Sequence, residues 1–303
     1  MATTLLVNGL TKRFGSTVAV DDLTATVRPG RVTGFLGPNG AGKTTTLQML
    51  LGLVRPTSGT ATFDGRAYED LAAPTREVGT LLEATGFHPG RRARDHLRVL
   101  AAAADLHPRR VEEVLAQVGL VDAADRKTGG YSLGMRQRLG LAAALLGDPP
   151  VLVLDEPANG LDPQGIRWLR SFLRSLAEEG RTVLVSSHVL PEVEQTADDV
   201  LVLSKGRLVR SGTLAELRSA ARGGTAVRTP DPARLRAALE AAGSSATDAG
   251  PDELHVPLAP ERVGELAAQA GVVLHRLAPA AGGLEQVFLD LTADAAPSDG
   301  AAA

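Results

Sequence analysis

Residues 32–50 read VTGFLGPNGAGKTTTLQML, and this stretch decides the fold. An apolar run, Val32 to Leu36, ends in a glycine-rich turn, and a helix-forming run follows from Lys43 to about Leu51. The turn satisfies G-x-x-x-x-G-K-[ST]. Gly37, Gly40 and Gly42 let successive backbone N–H groups turn inward onto a phosphate without clashes from Cβ atoms. Lys43 is one of only four lysines among 32 basic residues, and it stands where it neutralises β- and γ-phosphates. The Thr44 hydroxyl is placed for Mg²⁺, and the helix N-terminus adds its positive dipole end. The loop Gly37, Pro38, Asn39, Gly40, Ala41, Gly42, Lys43, Thr44 and Thr45 is therefore the candidate nucleotide-binding set.

Further along, residues 151–157 read VLVLDEP, an apolar strand ending in two carboxylates. Unpaired carboxylates beside a core are costly, so a buried strand ends this way for a reason. Asp155 at the strand tip is placed for the Mg²⁺ shell, and Glu156 points differently and is placed to orient or deprotonate water. A GTPase of the Ras type or a small-molecule kinase does not need that second carboxylate. An ATPase that activates water does.

The apolar strands Val151 to Leu154 and Thr182 to Ser186 do not alternate, so both of their faces are buried, as in a parallel sheet covered by helices. A helix from about Pro163 to Glu178 separates them, and Leu5 to Val7 and Thr24 to Val27 read as further short strands. Arg91 to Leu120 reads as wholly helical, and the same periodicity returns after Met135. The body is thus α/β, with a helical insert near residues 84–150. A break near Ala220 to Thr225 divides residues 1–220 from a small α+β unit at 225–291. In that unit Ala226 to Arg228, Leu254 to Pro257 and Val272 to Leu277 read as strands, and Pro232 to Ala242 and Pro260 to Ala270 as helices. Residues 292–303 read as a disordered tail.

Composition narrows the classes. The chain has 303 residues, no cysteine and a net charge of −3, which excludes a disulfide framework, thiolate zinc and a cysteine nucleophile, and argues against a nucleic-acid-binding surface. No run approaches the roughly 18 apolar residues of a spanning helix. The N-terminal charges follow the apolar run, the wrong order for a secretory signal, so a soluble cytoplasmic chain is expected.

Residues 131–163 read YSLGMRQRLGLAAALLGDPPVLVLDEPANGLDP, and VLVSSHVL follows at 183–190. With the phosphate loop, this ordered set resembles the nucleotide-binding subunit of ATP-binding-cassette (ABC) transporters from about Leu5 to Gly212. The resemblance implies a P-loop NTPase cassette with a mixed-sheet core, the helical insert and a small C-terminal α+β domain. Ser132 and Gly134 retain the family signature, usually LSGGQ, and by resemblance bind the γ-phosphate held by the opposite subunit; Leu133 and Met135 depart from it. By the same resemblance His188 is the switch histidine near Glu156, Asp162 links the two nucleotide sites, and Phe14 stacks on adenine. Glu83 occupies the position where the family usually has Gln, and it is a candidate Mg²⁺ contact. Ala84 to Arg94 resembles the region that couples to the membrane subunit, and its Arg91, Arg92 and Arg94 read equally well as a solvated face.

The implied cofactors are ATP and Mg²⁺, and the implied partners are a second copy and a separate integral membrane permease. The implied location is the inner face of the cell membrane. Catalysis is expected from Glu156, with Lys43 and His188 stabilising charge. The YSLGMRQR, GFHPGRRARDHL and GGLEQVFLDLT segments resemble drug- and antibiotic-exporter ATPases, including the daunorubicin-resistance type. The alternative is a cytosolic ABC-type ATPase not coupled to transport. Cytosolic members act in translation, repair or iron–sulfur assembly. Translation-type members generally carry two cassettes and repair-type members long coiled-coil inserts, whereas this chain has one phosphate loop and a short insert.

Overall fold

The computed structural model describes residues 3–82, 86–221, 224–250, 252–279 and 288. The chain divides into two compact units after Leu214. That is earlier than the break expected at 220–225, because a helix, Leu214–Ala221, runs through the segment before the glycine pair.

In the first unit, β1 (Leu5–Phe14) and β2 (Thr17–Val27) form an antiparallel hairpin, both longer than the sequence suggested. Register shifts along β1 disturb its alternation, which hides the strand's length from a period-2 reading. β3 (Arg31–Leu36) runs into the phosphate loop and α1 (Lys43–Leu50), and β4 (Ser58–Phe63) pairs with the other edge of β1. α2 (Pro74–Glu77) leads into β5 (Val78–Leu81). The insert holds α3 (Ala93–Ala103), α4 (Arg109–Gln117) and α5 (Leu133–Ala144). Then follow β6 (Val151–Leu154), α6 (Pro163–Glu178), β7 (Thr182–Ser187), α7 (Leu190–Thr196), β8 (Asp199–Ser204) and β9 (Arg207–Thr213).

The central sheet has the order β5-β6-β7-β3-β8-β9, parallel except for the antiparallel β9, so it is mixed as expected. Leu5, Val20 and Phe63 of the hairpin sheet share one buried cluster with Phe35, Leu47, Val153, Leu184 and Leu201. That burial fixes the sheet's carboxyl ends, where sites of such folds lie. The helix expected over Arg91 to Leu120 is two helices. Asp105 takes a positive φ of 50° and Pro108 opens the next helix, so the chain turns between them while Leu106 stays buried.

The second unit takes all of α8 (Leu214–Ala221) except its first residue and continues as β10 (Thr225–Arg228), α9 (Pro232–Ala241), β11 (Thr247–Gly250), β12 (Glu253–Val256), α10 (Pro260–Gln269) and β13 (Arg276–Pro279). Its four strands pair in the order β11-β12-β10-β13, all antiparallel, over a core of Val227, Leu235, Leu239, Leu254, Val256 and Val263. The β-α-β-β-α-β sequence with this strand order is the ferredoxin-like arrangement. The strand expected at Val272 to Leu277 starts later, at Arg276, because the amide of Val272 still closes the helix end on the carbonyl of Ala267 and its side chain fills the core. The expected tail, 292–303, lies outside the described residues.

Candidate active site

The phosphate loop is built between β3 and α1 and lies against the hairpin. Gly42 has φ 101°, and a Cβ there would stand 2.5 Å from the carbonyl oxygen of Ala19 on β2. Only glycine fits that approach. The Lys43 side chain is 6% exposed. Its Nζ donates to the carbonyls of Gly37 at 2.7 Å and Pro38 at 3.3 Å, and stands 3.6 Å from Oε1 of Glu156. One ammonium therefore faces both the loop and the second carboxylate.

The two carboxylates after β6 are held differently. Asp155 is buried, with both oxygens engaged: Thr44 Oγ1 donates to Oδ2 at 2.7 Å, and Ser186 Oγ donates to Oδ1 in a short contact. The same Ser186 oxygen accepts the backbone N–H of Glu156 at 2.9 Å. Glu156 takes a left-handed φ of 47°, and its Oε2 lies 2.9 Å from Nδ1 of His188. A non-glycine residue in that region at a strand end marks a held conformation.

Behind His188, the hydroxyl of Ser187 accepts the N–H of Val189 at 3.0 Å and donates to Oε2 of Glu192 at 3.1 Å. Burial pushes the Glu192 carboxyl above its usual range, partly offset by that bond from Ser187.

Lys43, Thr44, Asp155, Glu156 and His188 thus converge at the carboxyl ends of β3, β6 and β7. Ser186, Ser187 and Glu192 join them unannounced. The available signal was the pair of hydroxyls ending the otherwise apolar strand TVLVSS, the same anomaly as carboxylates after VLVL.

Ser132 and Asp162 cap α5 and α6: Ser132 Oγ accepts from the N–H of Met135 at 3.2 Å, and Asp162 Oδ1 from that of Gly165 at 2.6 Å. Both are exposed and do not touch the Lys43 cluster within one chain. Phe14, 51% exposed at the end of β1, has Lys12 Nζ 4.9 Å from its ring centre. Arg94 is bound to Glu112 and to Asp125, the latter at 3.0 Å, so it serves the insert rather than a free basic run. Glu83 lies outside the described residues.

The Thr44 hydroxyl and Asp155 carboxylate are hard oxygen donors sharing one position, the donor chemistry Mg²⁺ takes alongside phosphate oxygens. Among the described residues no group of three His, Cys, Asp or Glu could hold a metal without such help.

A family described as "ABC transporter" matches residues 20–159, and one described as a domain of unknown function matches 223–285. The bacitracin transport ATP-binding protein of Bacillus licheniformis is 44% identical over 212 residues, 69% of this chain and 69% of that protein. The Nod factor export ATP-binding protein of Burkholderia lata is 38% identical over 290 residues, covering 93% of this chain and 94% of its own length. A solved ATP-binding subunit of an ABC transporter has 29% identity and a TM-score of 0.64, over 71% of this chain and 92% of that one.

Proposed function

Because the chain belongs to the ABC transporter family of ATP-binding proteins, we propose that it is the ATP-hydrolysing subunit of an exporter. It powers efflux of a drug, antibiotic or other hydrophobic small molecule through a separate membrane permease. Among the described residues no helix is long and apolar enough to cross a membrane. The similar proteins are named as ATP-binding components of transport and export systems, which supports a separate permease that this chain meets at the membrane's inner face. Two copies close head to tail on two ATP molecules. Each phosphate loop then faces the Ser132 and Gly134 region and Asp162 of the other copy, while Phe14 stacks on adenine.

One observation carries the reading: Glu156 lies between the Lys43 ammonium at 3.6 Å and the His188 imidazole at 2.9 Å. A carboxylate so placed takes the proton of an attacking water. Lys43 turns from the Gly37 and Pro38 carbonyls toward the β- and γ-phosphates, and His188 donates to the γ-phosphate as charge develops. Thr44 and Asp155 would hold Mg²⁺, which would supply neutralisation of phosphate charge. Closure excludes every water but the attacking one, and reopening drives the permease between its two faces. None of the candidate residues lies beyond Leu214, so the second unit is accessory to catalysis.

Glu156→Gln keeps the shape of the side chain and removes the base. The variant is expected to bind ATP, to stop hydrolysing it and to trap the dimer, read by phosphate release and light scattering. Hydrolysis near the wild-type rate refutes the assignment.

A further inference from the structure

The first turns of α5 grip the loop that precedes α6. Nε2 of Gln137 donates to the carbonyl oxygen of Asn159 at 3.1 Å. The Leu133 side chain lies across Gly160: a Cβ on Gly160, whose φ is 75°, would stand 1.9 Å from Leu133 Cδ2. On the other side, a Cβ on Gly134 would meet Leu161 Cδ2 at 3.3 Å. The gripped loop begins at the base itself, because the N–H of Asn159 donates to the carbonyl oxygen of Glu156 at 3.1 Å. A short path therefore runs from Glu156 through Asn159 and Gln137 to the helix that starts at Ser132.

Gln137 is only 8% exposed, and its Oε1 has no hydrogen-bond partner among the described residues. Burying an amide with one acceptor unsatisfied is unfavourable, and an apolar side chain of the same length would fill the space without that loss. Such a residue serves something other than packing.

We propose that Gln137 is a positioning residue. It fastens the loop carrying Glu156 and Asp162 to the helix carrying Ser132, so that the state of a protomer's own nucleotide site sets the pose of the groups it offers to its partner's site. The proposal rests on the head-to-tail dimer proposed above. A tight turn transmits displacement well: when Glu156 engages water beside its own γ-phosphate, its carbonyl moves Asn159, and Asn159 moves the signature helix. With the fastening cut, the loop and Ser132 approach the partner as two independent pieces, and closing the dimer must order both.

Gln137→Met keeps length and packing and removes the donor. Leu133→Ala withdraws the knob from Gly160 at a position that is 48% exposed, where the fold tolerates it. In full-length chains, the Hill coefficient of ATP hydrolysis is expected to fall from about 2 toward 1 in both variants. In the Glu156→Gln background, each should weaken ATP-dependent dimerisation by about fivefold or more by light scattering. Binding of a fluorescent ATP analogue to dilute monomer, which reads the phosphate loop alone, should be unchanged, as should the melting temperature of Leu133→Ala. A Hill coefficient and dimer affinity unaltered by both variants overturn the proposal while leaving the dimer standing. If Glu156→Gln itself stays monomeric with ATP, the dimer reading fails and this one with it. Should Gln137→Met melt early, Leu133→Ala decides.

Discussion

Removing the hydroxyl of Ser186 tests the site where sequence reasoning was blind. Ser186→Ala takes the donor from Asp155 Oδ1 and the acceptor from the Glu156 N–H, set at 2.9 Å, in one step. Both groups lie just after β6, against the fully buried Ser186 of β7, where water does not readily replace a lost partner. A hydrogen bond to a charged group is worth about 1.5–3 kcal/mol. If that loss falls on the transition state, hydrolysis slows by about tenfold to about a hundredfold. Asp155 keeps its bond from Thr44 at 2.7 Å, so the defect is misplacement and not loss of the acidic group. Two further results should follow. The KM for ATP changes little, because Lys43 and its loop are untouched. Raising Mg²⁺ partly restores the rate, because mass action compensates a loosened oxygen donor. The assay is steady-state phosphate release against ATP at two Mg²⁺ concentrations, with a thermal melt to exclude unfolding. A folded Ser186→Ala variant hydrolysing within about twofold of wild type, against the loss estimated above, refutes the reasoning: the serine would then be a passive strand end.

Phe14→Ala removes an exposed ring, so the fold should hold while the KM for ATP rises about tenfold at nearly constant kcat, the loss expected of one base–aromatic stack; an unchanged KM would detach Phe14 from adenine. His96, packed 4.9 Å from Phe87, is held below its usual 6.5 by burial, with the charge of Arg91 adding to the effect. The unfolded chain then binds the proton more readily. Stability is fully present above the unfolded pKa and falls as pH drops from about 6.5 toward the lower folded value. Melting temperatures across that window should fall less steeply for His96→Leu than for wild type, and parallel slopes would remove His96 as the cause.

The chemistry was legible because most of its parts break a local rule. A glycine-rich turn with a rare lysine and carboxylates closing an apolar strand stand out against their surroundings, whereas His188 was singled out only by resemblance to the family. Less legible were features with no anomaly of their own. Asp105 turns the chain between α3 and α4 through a positive φ that aspartate tolerates, and the helical pattern runs on around it. β1 carries register shifts that scramble alternation. Gln137 reads as one more polar residue in MRQR, and only its burial and the carbonyl of Asn159 single it out. Local pattern reveals what a residue is; its partner, twenty or more places away, reveals what it holds.

The division of labour between Asp155 and Glu156 shows how little is needed to separate two adjacent carboxylates. In a regular strand, neighbouring side chains point to opposite faces, and a carboxylate continuing β6 would enter one of the two buried faces of the sheet. The left-handed φ of 47° at Glu156 breaks the strand at that residue and turns the side chain out toward Lys43 and His188. Such a conformation costs on the order of 1–3 kcal/mol for a non-glycine residue. The bond from the Glu156 N–H to Ser186 and the turn bond from Asn159 to the Glu156 carbonyl offset it. Asp155, directly after the strand, has each oxygen held by one hydroxyl, Thr44 on Oδ2 and Ser186 on Oδ1. Glu156, turned out, faces an ammonium and an imidazole across solvent-accessible space, with its side chain 20% exposed. One backbone torsion thus separates two adjacent carboxylates into the roles proposed for them, cation anchor and base, and Ser186 is bonded to both residues.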